Sequence, residues 1–339
     1  MRYIDLRSDT VAQPTEEMRQ AMLSAPGGDS MLEADPAVLR LEALAAQVTG
    51  KQAGLFLPSG TMANQVAVMA HTAPGDEIII ASGGYMVVHE VGAAAVLSGV
   101  TVNAIPCDED MLTPALIEKH KHTAPGRKSM LCLENSLGNG LVMPLAQMQA
   151  CYETAQALGM QVHLDGARLF NAATALMQPA AEICKYAHSV MFCLNKGLCA
   201  PMGSMLCGDE QFIERARVNR AILGGALRQP GMIAACGIIA IEKMSKRLDE
   251  DHHNAQTLAQ GISQFPGLEI IYPVQTNMVF FTVDKPRSFL AKLPAQMLGK
   301  GIKVNGEEGG VLRFVTNNDV TAEDVQYVLR CFGEVLQGH

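Results

Sequence analysis

Two apolar stretches of the chain each end in one charged residue that is followed by glycine. They are His163-Leu-Asp165-Gly-Ala-Arg168 and Ser189-Val-Met-Phe-Cys-Leu-Asn-Lys196-Gly. Because ligands of open α/β sheets bind outside the carboxyl ends of the strands, we expect Asp165 and Lys196 to meet at one sheet edge. A lysine can form a Schiff base there, and an aspartate can hold a pyridine nitrogen protonated, which is the pairing that pyridoxal phosphate (PLP) requires. The alternative is a buried ion pair that only joins two strands, an arrangement that is costly to desolvate.

A short polar turn is a candidate for binding phosphate. Ser59-Gly60-Thr61 follows the apolar residues 54–58 and precedes a helical pattern. Free N–H groups and the helix dipole make such a helix N-terminus an anion site. An ordinary N-cap explains the same residues equally well. Arg228 could supply a further phosphate contact.

Two arginines are candidates for binding an α-carboxylate, since a guanidinium matches a carboxylate bidentately. Arg168 lies about one turn past Asp165, and Arg313 sits inside the apolar residues 311–315. An exposed arginine on an edge strand is the alternative for Arg313. Ser8 is a further candidate hydroxyl donor.

Composition excludes several classes of protein. The chain has 339 residues, of which 48% are hydrophobic and 18% charged, and its net charge of −8 argues against a nucleic-acid binder. No apolar run is long enough to cross a bilayer, and the N-terminus lacks the apolar region of a secretory signal. The nine cysteines include no Cys-x-x-Cys pair and indicate a reducing compartment rather than disulfides or a metal site. We therefore predict a cytoplasmic enzyme with no metal, nucleic-acid or membrane partner.

The pattern of elements predicts an α/β protein with three segments. Residues 36–245 alternate helical and short apolar runs, as in a doubly wound domain with a mostly parallel sheet. Residues 246–339 predict a small α+β domain, and residues 1–35 form an N-terminal segment that we expect to pack across the domain cleft or on a partner subunit. Predicted strands are 53–57, 77–81, 101–105, 130–133, 161–164, 189–194, 204–207, 268–272, 278–282 and 311–315. Predicted helices are 38–48, 61–69, 145–158, 230–244, 287–299 and 322–336, the last with a capping box at Thr321-Ala-Glu-Asp324.

Several motifs, taken together, resemble one family. They are Arg7-Ser-Asp-Thr10, Leu57-Pro-Ser-Gly-Thr61, Glu134-Asn135, His163-Leu-Asp-Gly-Ala-Arg168, Cys193-Leu-Asn-Lys-Gly197, Pro201-Met-Gly-Ser204 and Thr276-Asn-Met278. In this order, and over nearly the whole chain, they resemble the low-specificity threonine aldolases and related beta-eliminating lyases. That family belongs to the aspartate-aminotransferase-like PLP enzymes of fold type I.

The resemblance implies a role for each candidate residue. Lys196 would hold PLP covalently and Asp165 would pair with its pyridine nitrogen. The phosphate would be bound by Ser59, Gly60, Thr61 and Arg228, and the substrate carboxylate by Ser8, Arg168 and Arg313, with Arg168 also contacting the cofactor. The family also implies a homodimer or homotetramer with shared active sites.

The chain departs from the family pattern at several positions. Tyr85 replaces a histidine that is expected to stack on the cofactor ring, and Tyr85 can still stack there. Leu137 replaces a second active-site histidine, in a loop that is one residue longer. Residues 29–36 lack a tyrosine–glycine pair. His89 is a candidate replacement proton acceptor, because a tyrosine with a pKa of about 10 is a poor base at neutral pH.

Three functions follow as hypotheses. The first is cleavage of a threonine-like β-hydroxy-α-amino acid into glycine and an aldehyde. The second is β-elimination or racemisation of another amino acid, favoured by Leu137 and Tyr85. The third is PLP binding without turnover, which the candidate carboxylate-binding arginines argue against.

Overall fold

The computed structural model describes residues 2–29, 35–121 and 126–338. Its strands are β1 (Ile4–Asp5), β2 (Ala53–Leu57), β3 (Glu77–Ala81), β4 (Thr101–Ile105), β5 (Ser129–Glu134), β6 (Gln161–Asp165), β7 (Ser189–Cys193), β8 (Ser204–Gly208), β9 (Leu268–Ile270), β10 (Met278–Val283), β11 (Ile302–Lys303) and β12 (Val311–Val315).

The helices alternate with the strands along much of the chain. They are α1 (Glu16–Ser24), α2 (Pro36–Thr49), α3 (Gly60–His71), α4 (Tyr85–Val88), α5 (Ala93–Ser98), α6 (Pro114–His120), α7 (Leu145–Ala157), α8 (Leu169–Leu176), α9 (Ala180–Cys184), α10 (Glu210–Ile222), α11 (Gly231–Glu242), α12 (Leu248–Ile262), α13 (Arg287–Leu290), α14 (Leu293–Gly299) and α15 (Ala322–Gln337). Short 3-10 turns include Asp9–Val11 and Lys196–Leu198.

The central sheet has seven strands in the order β2-β8-β7-β6-β5-β3-β4. Strand β8 runs in the direction opposite to the other six strands of this sheet, and the pairs from β7 to β4 are parallel. The middle strands are buried along nearly their whole length, which explains their almost continuous apolar sequence. The predicted α/β fold with a mostly parallel sheet is therefore confirmed.

The register brings the ends of three middle strands together. Glu134, at the end of β5, lies opposite Asp165, at the end of β6, and Asp165 lies opposite Met191 of β7. All three strands run in the same direction, so the residues that follow them meet at one edge of the sheet. This edge carries the candidate site.

The C-terminal part of the chain forms a smaller α+β unit. Its antiparallel sheet has the order β12-β10-β9, and its buried side chains form a cluster with those of α12 and α15. The capping box of α15 is confirmed, since Thr321 and Asp324 bond each other's backbone N–H groups. The single helix predicted over 287–299 is wrong. Two helices occur there, and Pro294 in the first turn of α14 explains the break because proline cannot continue a preceding helix.

The N-terminal segment contacts both units. Strand β1 pairs in parallel with β11, and Ile4 and Leu6 join the hydrophobic cluster of the small unit. Helix α1 packs against α11, with Met18 in the core of the large unit. The proposed domain limits at residues 35 and 245 stay predictions. Within the described ranges, no helix is both long and apolar enough to span a membrane.

Candidate active site

A cavity of about 210 Å³ opens at the carboxyl ends of the central strands. Its walls come from the N-terminus of α3, the ends of β6 and β7, the turn that follows β7, and the first residue of α4. The residues that line it are Thr10, Pro58, Ser59, Gly60, Thr61, Asn64, Tyr85, Asp165, Ala167, Met191, Cys193, Asn195, Lys196, Met202 and Gly203. Six of the predicted site residues are among them, namely Ser59, Gly60, Thr61, Tyr85, Asp165 and Lys196.

Asp165 is the last residue of β6 and is 3% exposed. Its Oδ1 accepts a hydrogen bond from the Ala167 N–H at 2.9 Å, and its Oδ2 accepts one from Asn64 Nδ2 at 2.8 Å. These two donors fix the carboxylate where it borders the cavity. The group can therefore accept a third hydrogen bond from a ligand without rotating.

Lys196 begins the 3-10 turn Lys196–Leu198, just after β7. Its backbone φ of +64° lies in the left-handed region, which costs a non-glycine residue about 1–3 kcal/mol. The side chain is half-buried, and its Nζ lies 5.9 Å from the centroid of the Tyr85 ring. The strained backbone thus places an ammonium group in the same cavity as the Asp165 carboxylate.

The N-terminus of α3 forms the polar end of the cavity. Ser59 is the N-cap, and its side chain accepts a hydrogen bond from Met62 N at 3.2 Å. Gly60 allows a close approach to β7, because a Cβ there would come within 2.8 Å of Met191 Cε and 3.0 Å of Cys193 Sγ. Both sequence interpretations therefore apply, since Ser59 caps the helix and also lines the cavity.

Tyr85 is the first residue of α4 and is 40% exposed. Its backbone N–H donates to Glu134 Oε2 at 2.8 Å, and its ring centroid lies 4.9 Å from that of His89. Burial, together with the negative charge of Asp165, raises the pKa of Glu134 to about 8. Leu137 is buried beside Glu134 in a small adjoining cavity.

Arg168 is paired with Asp9 from the N-terminal segment. Its Nε and Nη2 each donate to one Asp9 carboxylate oxygen at 2.7 Å, and Asn277 Nδ2 donates to Asp9 Oδ2 at 3.2 Å. Burial alone would raise the pKa of Asp9, but the Arg168 guanidinium outweighs burial and the pKa falls to about 2. Two nitrogens of the Arg168 guanidinium, which we expected to bind a ligand, are therefore engaged within the protein, and Nη1 is the nitrogen outside this pair.

Arg313 lies on β12, the edge strand of the small sheet, and is half-buried. Its Nη2 donates to the Arg7 carbonyl at 3.3 Å, and it lines a separate cavity of about 140 Å³ with Asn305 and Glu308. Burial and the positive charge of Arg168 lower its pKa. Arg313 thus lies on an edge strand, as the alternative interpretation predicted. Its guanidinium group is nevertheless close enough to that of Arg168 for the two charges to interact.

Four predicted site residues do not line the main cavity in this chain, namely Arg168 and Arg313, described above, together with Ser8 and Arg228. Ser8 caps the turn Asp9–Val11, where its Oγ accepts hydrogen bonds from Thr10 N and Thr10 Oγ1 at 3.2 and 2.9 Å. Arg228 is exposed and forms an ion pair with Asp29 at 3.6 Å. Residues 29–36, which lack the tyrosine–glycine pair of the family, include residues 30–34, and these lie outside the described residues.

Sequence reasoning missed Asn64, Asp9 and the contact of Thr10 with the cavity. Asn64 lies one helical turn after Gly60, so the helical period from the candidate anion site could have found it. Asp9 could not be found in this way, because its partner is distant in sequence. No group of three or more potential metal ligands occurs within the described ranges.

The chain is similar to threonine aldolases over nearly its whole length. A family model described as beta-eliminating lyase matches residues 5–286. The chain is 36% identical to low-specificity L-threonine aldolase 1 of Arabidopsis thaliana, with 99% of this chain and 97% of the plant protein covered. It is 37% identical to the low specificity L-threonine aldolase of Escherichia coli K12, with 96% and 97% covered.

Solved structures share the fold at lower identity. A Leishmania major threonine aldolase superposes with a TM-score of 0.84 at 16% identity, covering 98% of this chain and 99% of the other. Sphingomonas wittichii serine palmitoyltransferase gives 0.80 at 14% identity, covering 99% and 88%.

The family model and the curated relatives identify a PLP-dependent lyase, and its fold is of the α/β class. The chain belongs to the beta-eliminating lyase family, as the motifs predicted, and low-specificity L-threonine aldolases are among its relatives.

Proposed function

We propose that this protein cleaves a threonine-like β-hydroxy-α-amino acid into glycine and an aldehyde with PLP as cofactor. One observation carries the proposal: Lys196, Asp165 and the N-terminus of α3 face the same cavity. In the reaction the Cα–Cβ bond breaks, the β-hydroxyl group loses its proton to become the aldehyde carbonyl, and the α-carbon gains a proton. The relatives named as threonine aldolases support this choice of substrate.

The donor set fits PLP. A primary amine, a buried carboxylate held by two hydrogen bonds, and a helix N-terminus correspond to its aldehyde, pyridine nitrogen and phosphate groups. When bound, PLP supplies an electron-accepting ring conjugated to the reacting carbon. Lys196 would hold it covalently, Asp165 would keep its ring nitrogen protonated, and residues 59–61 would bind its phosphate. Tyr85, on the wall beside Lys196, would stack on the ring.

The substrate carboxylate would be bound between the large and small units. Arg168 has Nη1 outside its pair with Asp9, and Arg313 is close enough for its pKa to respond to the Arg168 charge. Two neighbouring positive charges favour an anion between them. Ser8 would add a hydroxyl donor through a rotation away from Thr10.

A proton acceptor for the β-hydroxyl group is needed beside Tyr85. No imidazole is among the described residues that line the main cavity, but the His89 ring lies 4.9 Å from the ring of Tyr85, which does line it. We assign proton acceptance to His89, because the ordinary pKa of histidine suits a base at neutral pH and that of tyrosine does not.

We further propose that two copies of the chain share their active sites. Apolar side chains near Tyr85 are exposed, with Val88 at 55%, Val91 at 94% and Val96 at 80%. Exposed apolar side chains that cluster within a short segment are typical of a protein interface. Arg228, which lies outside its own chain's cavity, would then bind the phosphate in the partner's site.

The proposed compartment is the cytoplasm. All nine cysteines are free, and eight of them are buried. Free buried thiols are typical of a reducing environment.

A product assay tests the function. The protein with PLP is incubated with L-threonine, L-allo-threonine, phenylserine and serine, and glycine, aldehyde and pyruvate are measured together. Glycine and aldehyde in equal amounts from a β-hydroxy substrate are expected. Pyruvate from serine without glycine would instead support β-elimination, the second candidate, which the buried Leu137 near the cavity favours.

A further inference from the structure

Two acidic side chains share one amide group beneath the cavity. Asn64 Nδ2 donates to Asp165 Oδ2 at 2.8 Å and to Glu90 Oε1 at 3.0 Å. Glu90 is 2% exposed, Asp165 is 3% exposed, and Asn64 is fully buried. Each hydrogen of the Asn64 NH₂ group therefore has one carboxyl oxygen as its acceptor, and all three side chains are buried.

The oxygen of the Asn64 amide faces a buried histidine on the other side. His163 Nε2 lies 3.1 Å from Asn64 Oδ1, and His163 Nδ1 lies 2.8 Å from Ser189 Oγ. Burial lowers the pKa of His163 to about 3, so the ring is neutral and carries one hydrogen. That hydrogen is on Nε2, because Asn64 Oδ1 can only accept, and Ser189 then donates to Nδ1. This tautomer is compatible with the Asn64 orientation in which the NH₂ group points at the two acids.

Only one of these acids can readily carry a negative charge. Two carboxylates that share one site disfavour each other's ionisation, and burial penalises both charges. Asp165 borders the cavity with Lys196 and accepts a second hydrogen bond from Ala167 N, whereas Glu90 does not line that cavity. Burial and the charge of Asp165 raise the pKa of Glu90 to about 7, although its hydrogen bonds act in the opposite direction.

The described groups that act most strongly on the Glu90 carboxyl are acidic or neutral. Asp165 from β6 and Cys132 from β5 face it, and α3 contributes the neutral side chains of Asn64, Gln65 and Thr61. On its own segment, His89 and Tyr85 are exposed at the surface.

Gln65 can supply the acceptor for a proton on Glu90. Gln65 Oε1 is buried and has no hydrogen-bond partner within the described ranges, while Gln65 Nε2 contacts Glu90 Oε2 at 2.5 Å. Rotating the amide by half a turn exchanges its oxygen and nitrogen. The Gln65 oxygen then accepts a hydrogen bond from a protonated Glu90.

We propose that Glu90 is a positioning residue that remains a neutral carboxylic acid while Asp165 is ionised, so that Asn64 orients a single negative charge toward the cavity. The role of that charge toward the PLP ring rests on the proposed function. The state of Glu90 itself does not, and it can be measured with or without PLP.

The first test follows thermal unfolding of the full chain against pH, with and without PLP. Since the folded state retains a proton on Glu90 that the unfolded chain loses above about pH 4.5, the contribution of Glu90 to stability falls as pH rises from about 4.5 to about 7. Glu90→Gln has no such proton. We expect the difference in Tm between Glu90→Gln and wild type, measured at each pH, to rise by several degrees in favour of Glu90→Gln between pH 5 and 8. Glu77→Gln, a buried control on β3, should show no comparable increase, and a constant Tm difference for Glu90→Gln would overturn the proposal.

The second test uses the visible absorbance of bound PLP between pH 5.5 and 9. The wild-type protein and Glu77→Gln should show a spectral change with a midpoint near pH 7 that Glu90→Gln lacks. Glu134 also has a raised pKa but is present in all three proteins, so its contribution cancels in the comparison. An unchanged midpoint in Glu90→Gln would contradict the proposal. Glu90→Met replaces Glu90→Gln in both tests if the latter does not fold.

The two tests separate this inference from the proposed function. If the wild-type protein binds no PLP or forms no glycine, the proposed function fails, and the unfolding comparison still decides the state of Glu90. If glycine and aldehyde form but Glu90→Gln titrates like wild type, only the role of Glu90 is wrong.

Discussion

Asp9 and Arg168 form a bidentate ion pair in the interior, with both hydrogen bonds 2.7 Å long. Asp9 belongs to the N-terminal segment, whereas Arg168 precedes α8 in the large unit. The pair therefore holds the N-terminal segment, which contacts both units, against the large unit near the cavity. It also holds the Arg168 guanidinium in one orientation, which any carboxylate ligand must accommodate.

Removing the charge of Asp9 should destabilise the protein strongly. Asp9→Asn leaves the buried Arg168 without its ionic partner, and breaking such a pair costs about 3–5 kcal/mol. The free energy of unfolding, measured by urea denaturation at pH 7, should fall by that amount. Asp284→Asn, an exposed control, should change it by no more than about 0.5 kcal/mol.

The same pair predicts how stability depends on acid. Because the pKa of Asp9 is lowered to about 2, its contribution is present above the unfolded-state pKa of about 4 and is lost as pH falls from about 4 to 2. Wild type should lose stability more steeply than Asp9→Asn over this range. Parallel curves for the two proteins would show that Asp9 is not the group responsible.

Arg313 should contribute to substrate binding. Arg313→Ala removes one of two guanidinium groups near the proposed carboxylate site, and a charged hydrogen bond is worth about 1.5–3 kcal/mol. We expect KM for L-threonine to rise by roughly tenfold or more, since each 1.4 kcal/mol corresponds to a factor of ten. The exposed control Arg287→Ala should leave KM unchanged. An unaltered KM in Arg313→Ala would place the carboxylate elsewhere.

His89 should act as the proton acceptor. His89→Gln keeps a polar side chain beside Tyr85 but removes the base, and loss of a general base lowers kcat by about 10²–10⁴-fold. His253→Gln, an exposed histidine on α12, serves as the control. A kcat within threefold of wild type in His89→Gln would exclude His89, and the pH profile of Tyr85→Phe would then test the tyrosine.

Arg228 should act in the partner's site. Arg228→Ala is expected to weaken PLP binding, whereas Arg40→Ala, an exposed control, should not. The Arg228→Ala and Lys196→Ala proteins are then mixed and allowed to exchange subunits, at a PLP concentration too low to saturate Arg228→Ala. Activity should rise above that of either variant alone, because one site of each hybrid has both residues intact. A lack of restoration in hybrids verified by mass spectrometry would show that each chain builds its site alone.

The sequence predicted the parts of the site that depend on local pattern. Asp165 and Lys196 end buried strands, and strand burial is visible as continuous apolar sequence, so their meeting at one sheet edge followed from the fold class. The helix N-terminus at Gly60 was predicted in the same way. The predicted ends of the seven strands of the central sheet agree with the observed ends to within about one residue, because glycine, proline or polar residues flank most of these strands.

The remaining features depend on contacts between residues distant in sequence. Nothing local indicates that Asp9 occupies two nitrogens of Arg168, or that Asn64 joins Asp165 to Glu90. The position of Arg228 outside its own cavity is also a property of the folded chain. Pairings of this kind are set by tertiary packing, on which the periodicity of hydrophobic residues carries no information.

The most direct test of the central claim is to locate PLP on the chain. The protein with bound PLP is reduced with borohydride, digested, and its peptides are analysed by mass spectrometry. The added cofactor mass should lie on Lys196, and Lys196→Ala should lose both this adduct and the corresponding visible absorbance. An adduct on another lysine, or Schiff-base absorbance that persists in Lys196→Ala, would contradict the assignment of Lys196 and Asp165 as the core of the site.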